Sequence, residues 1–433
     1  MDEQEGEGPA ENVVAADRPA TFREVFAVAE YRSLFAATSL SWIGDYFAKV
    51  AVAVLIFSDT GSALLSAAGF AISYLPWVVG GPVLAALAER FPYRRVMIIC
   101  DLGRAALVTL VALPGLPLPA LLLLLMVSSM FTPPFEAARS ALVAQLLTGD
   151  RYVLGVSLQN TAGQAAQVAG YAVGGLIAAV DPRGALLINA ATFGASALLL
   201  WRGVRPRPAA MTRARHRSLL KETGDGLRLV FGNRVMRPIA LVVFSLVAIV
   251  IVPEGLAAAW SAELDGGSWT TGLLMAAMPI GTVIGAVLMR VTGPERRLKL
   301  VKPLLLAAPL LLVPALARPP FIVVFFLIVG AGIANTVIVP LNGLFVSVLP
   351  GDFRARAFGI MQGGIQITLA TAVLTAGALA ERFSVPVLVG GWALCGLALV
   401  GVVVKTWPRG DVIDAEIARV AELNREASAA PAR

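Results

Sequence analysis

Histidine and cysteine are almost missing from this chain of 433 residues, which holds one histidine, His216, and two cysteines, Cys100 and Cys395. No zinc site of the usual His/Cys kind can be assembled from so few ligands, and no other metal or cofactor site is expected. Both cysteines sit inside apolar runs, which argues against a disulfide framework. Charge is scarce too: 15% of residues are charged and 58% are hydrophobic, whereas a soluble domain carries about 25% charge. Mean hydropathy is +0.79. A chain this apolar would present too much oily surface to water, and because its apolar runs continue almost from end to end, one anchor does not account for them.

Further absences narrow the function. The pattern G-x-x-x-x-G-K-[ST] does not occur, which excludes an ATP-driven pump of that kind. Neither H-E-x-x-H nor G-x-S-x-G is present, and the polar residues are dispersed, so an intramembrane enzyme is not expected. No selectivity-filter sequence or charged ring of a channel stands out. The net charge of +7 is read as membrane topology, with no nucleic-acid partner.

What is present is a series of apolar stretches, each near the roughly 20 residues that cross a bilayer. Twelve are counted, at 33–57, 63–88, 96–114, 118–144, 156–180, 185–201, 238–260, 270–289, 300–317, 321–348, 357–380 and 386–405. The expected architecture is all-α, with twelve transmembrane helices in two pseudo-symmetric six-helix bundles. A tail and amphipathic lead-in cover 1–32, and the first bundle covers 33–203. A basic linker fills 204–237, the second bundle runs over 238–405, and a tail occupies 406–433. The first twenty residues carry six acids and one arginine, unlike the positive start of a secretory signal. If the N-terminus is cytoplasmic, the cytoplasmic segments hold 30 of the 35 Lys and Arg residues and the outer loops hold three. That asymmetry predicts both termini inside.

The halves resemble each other weakly. Ala85-Ala86-Leu87-Ala88-Glu89-Arg90 and Gly285-Ala286-Val287-Leu288-Met289-Arg290 close the second span of each half, 200 residues apart. Thr148-Gly149-Asp150 and Pro350-Gly351-Asp352 precede the fifth span of each half, with their aspartates 202 apart. Repeated halves with a site between them are a transporter architecture.

Charges within the spans cost about 2.5–3.5 kcal/mol each at a helix centre, so they require partners or a purpose. Asp45 and Lys49 lie i,i+4 in span one; Asp101 and Arg104 lie i,i+3 in span three; Glu136 and Arg139 lie i,i+3 in span four. Spacing of this kind places each pair on one helical face. Glu254, after Pro253 in span seven, has no partner nearby in sequence. Uncharged candidates for substrate contacts are Gln159, Asn160, Gln164 and Gln167 in span five, Asn335 and Asn342 in span ten, and Gln362 and Gln366 in span eleven. Such residues also serve as plain interhelical hydrogen-bonding groups. Gly170, Gly174 and Gly175 remove side-chain bulk and permit close helix packing.

Several of these residues carry a resemblance to the major facilitator superfamily. The positions Ala85, Leu87, Ala88, Glu89, Arg90, Arg94 and Arg95 follow the superfamily's loop pattern G-x-L-A-D-R-x-G-R-R, with both glycines replaced. Gly170-Tyr171-Ala172-Val173-Gly174-Gly175 is similar to the antiporter motif G-P-x-x-G-G, with Tyr171 in the proline position. Together with Gly44-Asp45, Asp101-x-x-Arg104 and Glu136-x-x-Arg139-Ser140, these resemble the drug and siderophore exporter branch, which includes enterobactin and macrolide exporters.

The resemblance implies a monomeric secondary transporter of the bacterial cytoplasmic membrane, surrounded by membrane lipids. It would export an amphipathic or cationic small molecule by alternating access in exchange for protons. Asp45, Lys49, Glu254, Asn335, Asn342 and Gln164 are the expected substrate and proton residues. Glu89, Arg90, Arg94, Arg95, Asp101, Arg104, Glu136 and Arg139 are the expected gating residues, with Glu89 facing the start of span eleven and the arginines reaching Glu136 or Asp101. A lipid or lysophospholipid flippase is the alternative within transport, and a non-transporting membrane scaffold or sensor is the alternative outside it.

Overall fold

A computed structural model describes residues 20–79, 90–208, 219–349 and 354–429. Among these residues ten helices are long and apolar enough to cross a membrane. Two further spans complete the twelve. Span three, Tyr93–Val111, has the length but carries Arg94, Arg95, Asp101 and Arg104. Span two is described from Ala63 to Val79 as a helix, a 3-10 turn and a short helix. The protein is an all-α integral membrane protein with two pseudo-symmetric halves of six spans.

Helix boundaries follow the local chemistry. Span one, Ala29–Thr60, ends at Gly61, whose φ of 65° is a left-handed conformation that glycine adopts without strain. Ser62 then caps span two by accepting the N–H of Leu65. Span six, Pro182–Gly203, begins with a proline whose missing N–H is no loss at that position, and Asp181 accepts the N–H of Arg183.

The breaks repeat between the halves. Span four divides into Leu118–Ser129 and Thr132–Leu146, and span ten divides into Phe321–Asn335 and Ile338–Ser347. Both breaks have proline just beyond them, at Pro133 and Pro134 in one case and at Pro340 in the other. Proline supplies no N–H to the preceding turn and displaces the carbonyl it would have met. Span seven breaks twice, into Met236–Val250, Val252–Gly255 and Ala257–Glu263, around Pro253.

Hydrocarbon gives helices no hydrophobic reason to associate, so contact depends on close packing and hydrogen bonds. Spans one and five meet through glycine: a Cβ on Gly170 would lie 2.5 Å from Tyr46 Cβ, and one on Gly174 would lie 2.6 Å from Phe47 Cα. Gly175 joins the two halves, because a Cβ there would stand 2.9 Å from both Gly272 Cα and Ser268 O of span eight, Ser268–Val291. Gly272 is matched in turn to the backbone of Tyr171 and Gly175.

Both described termini and the linker share one end of the bundle, here the terminal face. Arg207 of the linker pairs with Glu30 at 2.6 and 2.9 Å. At the linker's other end, the Asn233 amide donates to Glu416 of the C-terminal helix, Gly410–Ala429, at 2.8 Å. The opposite, distal face holds the halves together. Glu381, just beyond span eleven (Arg354–Ala380), accepts the Ser62 hydroxyl at 2.7 Å and the Leu64 N–H at 2.9 Å. A side chain of one half thus caps a helix of the other. The Leu64 N–H first, and the Ser62 hydroxyl next, hold the Glu381 carboxyl below its ordinary 4.5.

Candidate functional site

A cavity of about 290 Å³ is lined chiefly by spans one, two, three and four, with Asn189 from span six and Gln366 from span eleven. Its polar wall is organised around Arg104. This guanidinium is 3% exposed and lies 2.5 Å from Asp101 and 3.3 Å from Asp45. The Ser196 hydroxyl of span six donates to the second oxygen of Asp101 at 2.6 Å. Phe135 of span four and Phe193 of span six cover the guanidinium, their ring centres 4.6 and 4.3 Å away. A buried arginine needs such company, because its planar fork pairs with carboxylates while its face stacks on rings.

Glu136 and Arg139 form a second cluster, paired at 2.6 Å. The Trp42 indole donates to Glu136 at 3.1 Å, and Arg139 also donates to Gln159 of span five. The Trp42 ring lies 5.1 Å from the Arg139 guanidinium.

Lys49 is placed differently. Its ammonium stands among three rings, 5.2 Å from Tyr46, 5.4 Å from Tyr74 and 5.5 Å from Phe70. Cation–π contacts contribute about 0.5–2 kcal/mol, against an insertion cost of about 2.5–3.5 kcal/mol. Tyr46 also meets Tyr171 of span five edge to face, with ring centres 5.1 Å apart. The Tyr171 hydroxyl donates to Glu254 at 2.5 Å. That bond joins the halves, since Tyr171 belongs to span five, Gly149–Val180, and Glu254 to the broken span seven.

Several expectations change here. Asp45 and Lys49 share a helical face but not a bond: Asp45 turns to Arg104 in span three, and Lys49 turns to the aromatic rings. Arg90 and Arg95 are exposed, and Arg94 donates to the carbonyls of Leu200 and Trp201 at the end of span six. None of the three bonds Glu136 or Asp101, because those acids are already held within the bundle. Asn342 is exposed, while Asn335 and Gln164 are partly buried; of the uncharged candidates Gln366 lines the cavity, joined by Asn189, which was not among them. Glu89, expected to face the start of span eleven, and His216 lie outside the described residues. Gly170 and Gly174 pack on span one, and Gly175 packs on span eight.

Two features escaped the sequence reading. The aromatic lining of Trp42, Tyr46, Tyr74 and Trp77 sits in helices that are apolar all round, where periodicity does not reveal the inward face. The Tyr171–Glu254 pair did leave a signal: an off-pattern tyrosine in one span and an unpartnered acid in another.

Two six-span halves in contact at the distal face, with a charged cavity lined chiefly by the first half, are the architecture of a polytopic membrane transporter. The chain belongs to the Major Facilitator Superfamily, whose family profile matches residues 34–370. It is therefore a membrane transporter of a small molecule and not an enzyme. It is 26% identical over 386 residues to YfiS, an uncharacterized MFS-type transporter of Bacillus subtilis (strain 168), covering 85% of this chain and 90% of that one. The fold is similar to a crystal structure of the nucleoside transporter NupG, with a TM-score of 0.68, 14% identity, and coverage of 88% of this chain and 99% of that one. It is also similar to a bacterial homologue of the iron transporter ferroportin in an inward-facing state, with a TM-score of 0.67, 15% identity, and coverage of 90% and 100%.

Proposed function

We propose that the protein exports an amphipathic small molecule across the bacterial cytoplasmic membrane, in exchange for protons, by alternating access. The observation that carries this reading is the unequal sharing of Arg104. One guanidinium serves two carboxylates; Asp101 is held at 2.5 Å with no exposure, whereas Asp45 is held at 3.3 Å and is 34% exposed. Asp45 is thus the acid at which proton and substrate can exchange. It lines the cavity, and Arg104 engages only its Oδ2.

Glu254 serves coupling in this reading. Its bond from Tyr171 lasts only while the distal ends of the halves are together, as do the Gly175–Gly272 contact and the Glu381 cap. In this reading the terminal face is cytoplasmic, which the positive-inside charge pattern supports, and the distal contacts support a form closed to the outside. Export direction rests on the antiporter-like run Gly170–Gly175 and on the likeness to the drug and siderophore exporter branch. Because Asp45 and Glu136 already bond arginines, an amphipathic substrate fits this cavity better than a bare cation does. Residues 33–203 and 238–405 are the two moving bundles, and 204–237 is their tether.

Everted membrane vesicles test this reading, with cationic dyes, macrolides, siderophores and lysolipids as probes. An acid lumen should drive uphill accumulation of at least one non-lipid probe, collapsed by a protonophore. Asp45→Asn should lose uphill accumulation, while exchange down a substrate gradient survives in Asp45→Asn or in Glu254→Gln. Full proton-driven accumulation in both variants would remove these acids from the coupling, and accumulation of lysolipids alone would replace export with lipid translocation.

A further inference from the structure

Every span-embedded acid of the site has a bonded partner: Asp45 and Asp101 on Arg104, Glu136 on Arg139, and Glu254 on Tyr171. Lys49 has none; among the described residues no carboxylate forms an ion pair with it, three aromatic rings stand around its ammonium, and the charges of Glu254 and Asp45 act on it only from beyond ion-pair distance. This cation nevertheless lines the cavity. A lysine held in hydrocarbon by rings alone keeps unmet donor capacity, because a ring face attracts the charge but accepts no directed hydrogen bond as an anionic oxygen does. Tyr46 and Tyr74 line the same cavity, and among the described residues their hydroxyls make no hydrogen bond. The wall around Lys49 therefore offers an ammonium and two hydroxyls with no hydrogen-bond partner among the described residues, and Trp42 and Trp77 add flat apolar surface to the same cavity.

We propose that Lys49, in its cage of Tyr46, Phe70 and Tyr74, is a docking point for a carboxylate, so that the cavity takes amphipathic organic acids. The carboxylate supplies the directly bonded anion that Lys49 lacks, and an aromatic or aliphatic body lies against Trp42 and Trp77. Beside Lys49 a bare organic cation would meet like charge, and the cavity's acids, Asp45 and Glu136, already bond arginines. The assignment deepens the export reading by naming a substrate class, but it is tested by equilibrium binding, so it stands or falls separately from transport.

Three probes of one shape separate the effect of charge from that of size: 2-naphthoate, 2-naphthamide and 2-naphthylmethylammonium. Each is titrated against the full-length protein in nanodiscs, with tryptophan quenching as the readout, since Trp42 and Trp77 line the cavity. Saturable quenching by naphthoate is expected at concentrations at least about tenfold below those for the amide and the ammonium, which is the discrimination a desolvated charge pair supplies. Lys49→Met should weaken naphthoate by about tenfold or more while leaving the amide unchanged, and Lys49→Arg should retain most of the naphthoate affinity. The wild-type comparison of the three probes stands even if Lys49→Met fails to fold. Equal or tighter binding of the ammonium, no saturable naphthoate binding, or unchanged naphthoate affinity in folded Lys49→Met would each overturn the proposal. If transport fails in vesicles while charge-selective, Lys49-dependent binding persists, the site stands and the export reading falls.

Discussion

Arg104→Met is expected to destabilise the folded protein by about 3–5 kcal/mol, because it leaves two carboxylates without their shared cation. Methionine keeps much of the side chain's length and fills the slot between Phe135 and Phe193, so the loss is mainly one of charge. The cost falls chiefly on Asp101, which is fully buried and, among the described residues, keeps only the Ser196 hydroxyl as a hydrogen-bond partner once the guanidinium is gone. Thermal unfolding of the purified protein in detergent measures the effect. Arg104→Met combined with Asp101→Asn should recover a large part of the loss, since the second change removes the uncompensated charge. If the single variant melts with the wild type, or if the second change adds to the damage, the network does not hold these spans together.

Gly175→Leu is expected to reduce transport by at least about tenfold without preventing insertion, by holding the distal ends of the halves apart. A Cβ at this position would meet Gly272 Cα and Ser268 O at 2.9 Å. Both obstacles are backbone, so no rotamer change relieves the overlap, and spans five and eight must separate. The same separation would break the neighbouring Tyr171–Glu254 bond. Gly194→Leu on span six is the control, because a Cβ there meets nothing within 4 Å. Normal transport by Gly175→Leu would show that distal closure does not require this contact.

The extent of the fold that can be read from the sequence follows from which interactions are local. Span count and loop-charge asymmetry depend only on runs of residue types, and the pairs Asp101/Arg104 and Glu136/Arg139 lie one turn apart on a single helix. Asp45 shows the limit. Its helical neighbour Lys49 satisfies the spacing rule, yet Arg104 on another span takes its carboxylate. Which side of span three faces span one is set by packing, and helices that are apolar all round carry little record of it. The same gap explains why, of the candidate amides, Gln366 lines the cavity while Asn335 and Asn342 do not, and why Asn189 was not singled out. Tyr171 and Glu254 were each visible as anomalies, but their pairing requires knowing that spans five and seven meet.

Alternating access is the central claim, and distances measured on both faces at once test it most directly. One pair of spin labels replaces Asp59 and Gly266 on the distal face; a second replaces Tyr152 and Arg290 on the terminal face. Exposed Cys395 is first changed to serine so that labelling reports only the chosen sites. Electron–electron distance measurements in nanodiscs, across pH and with and without a bound probe, should show the pairs moving reciprocally. A short distal distance should accompany a long terminal one, and the populations should exchange with conditions. If both distances stay fixed under every condition, or lengthen and shorten together, the halves do not alternate about the Asp45–Lys49 cavity.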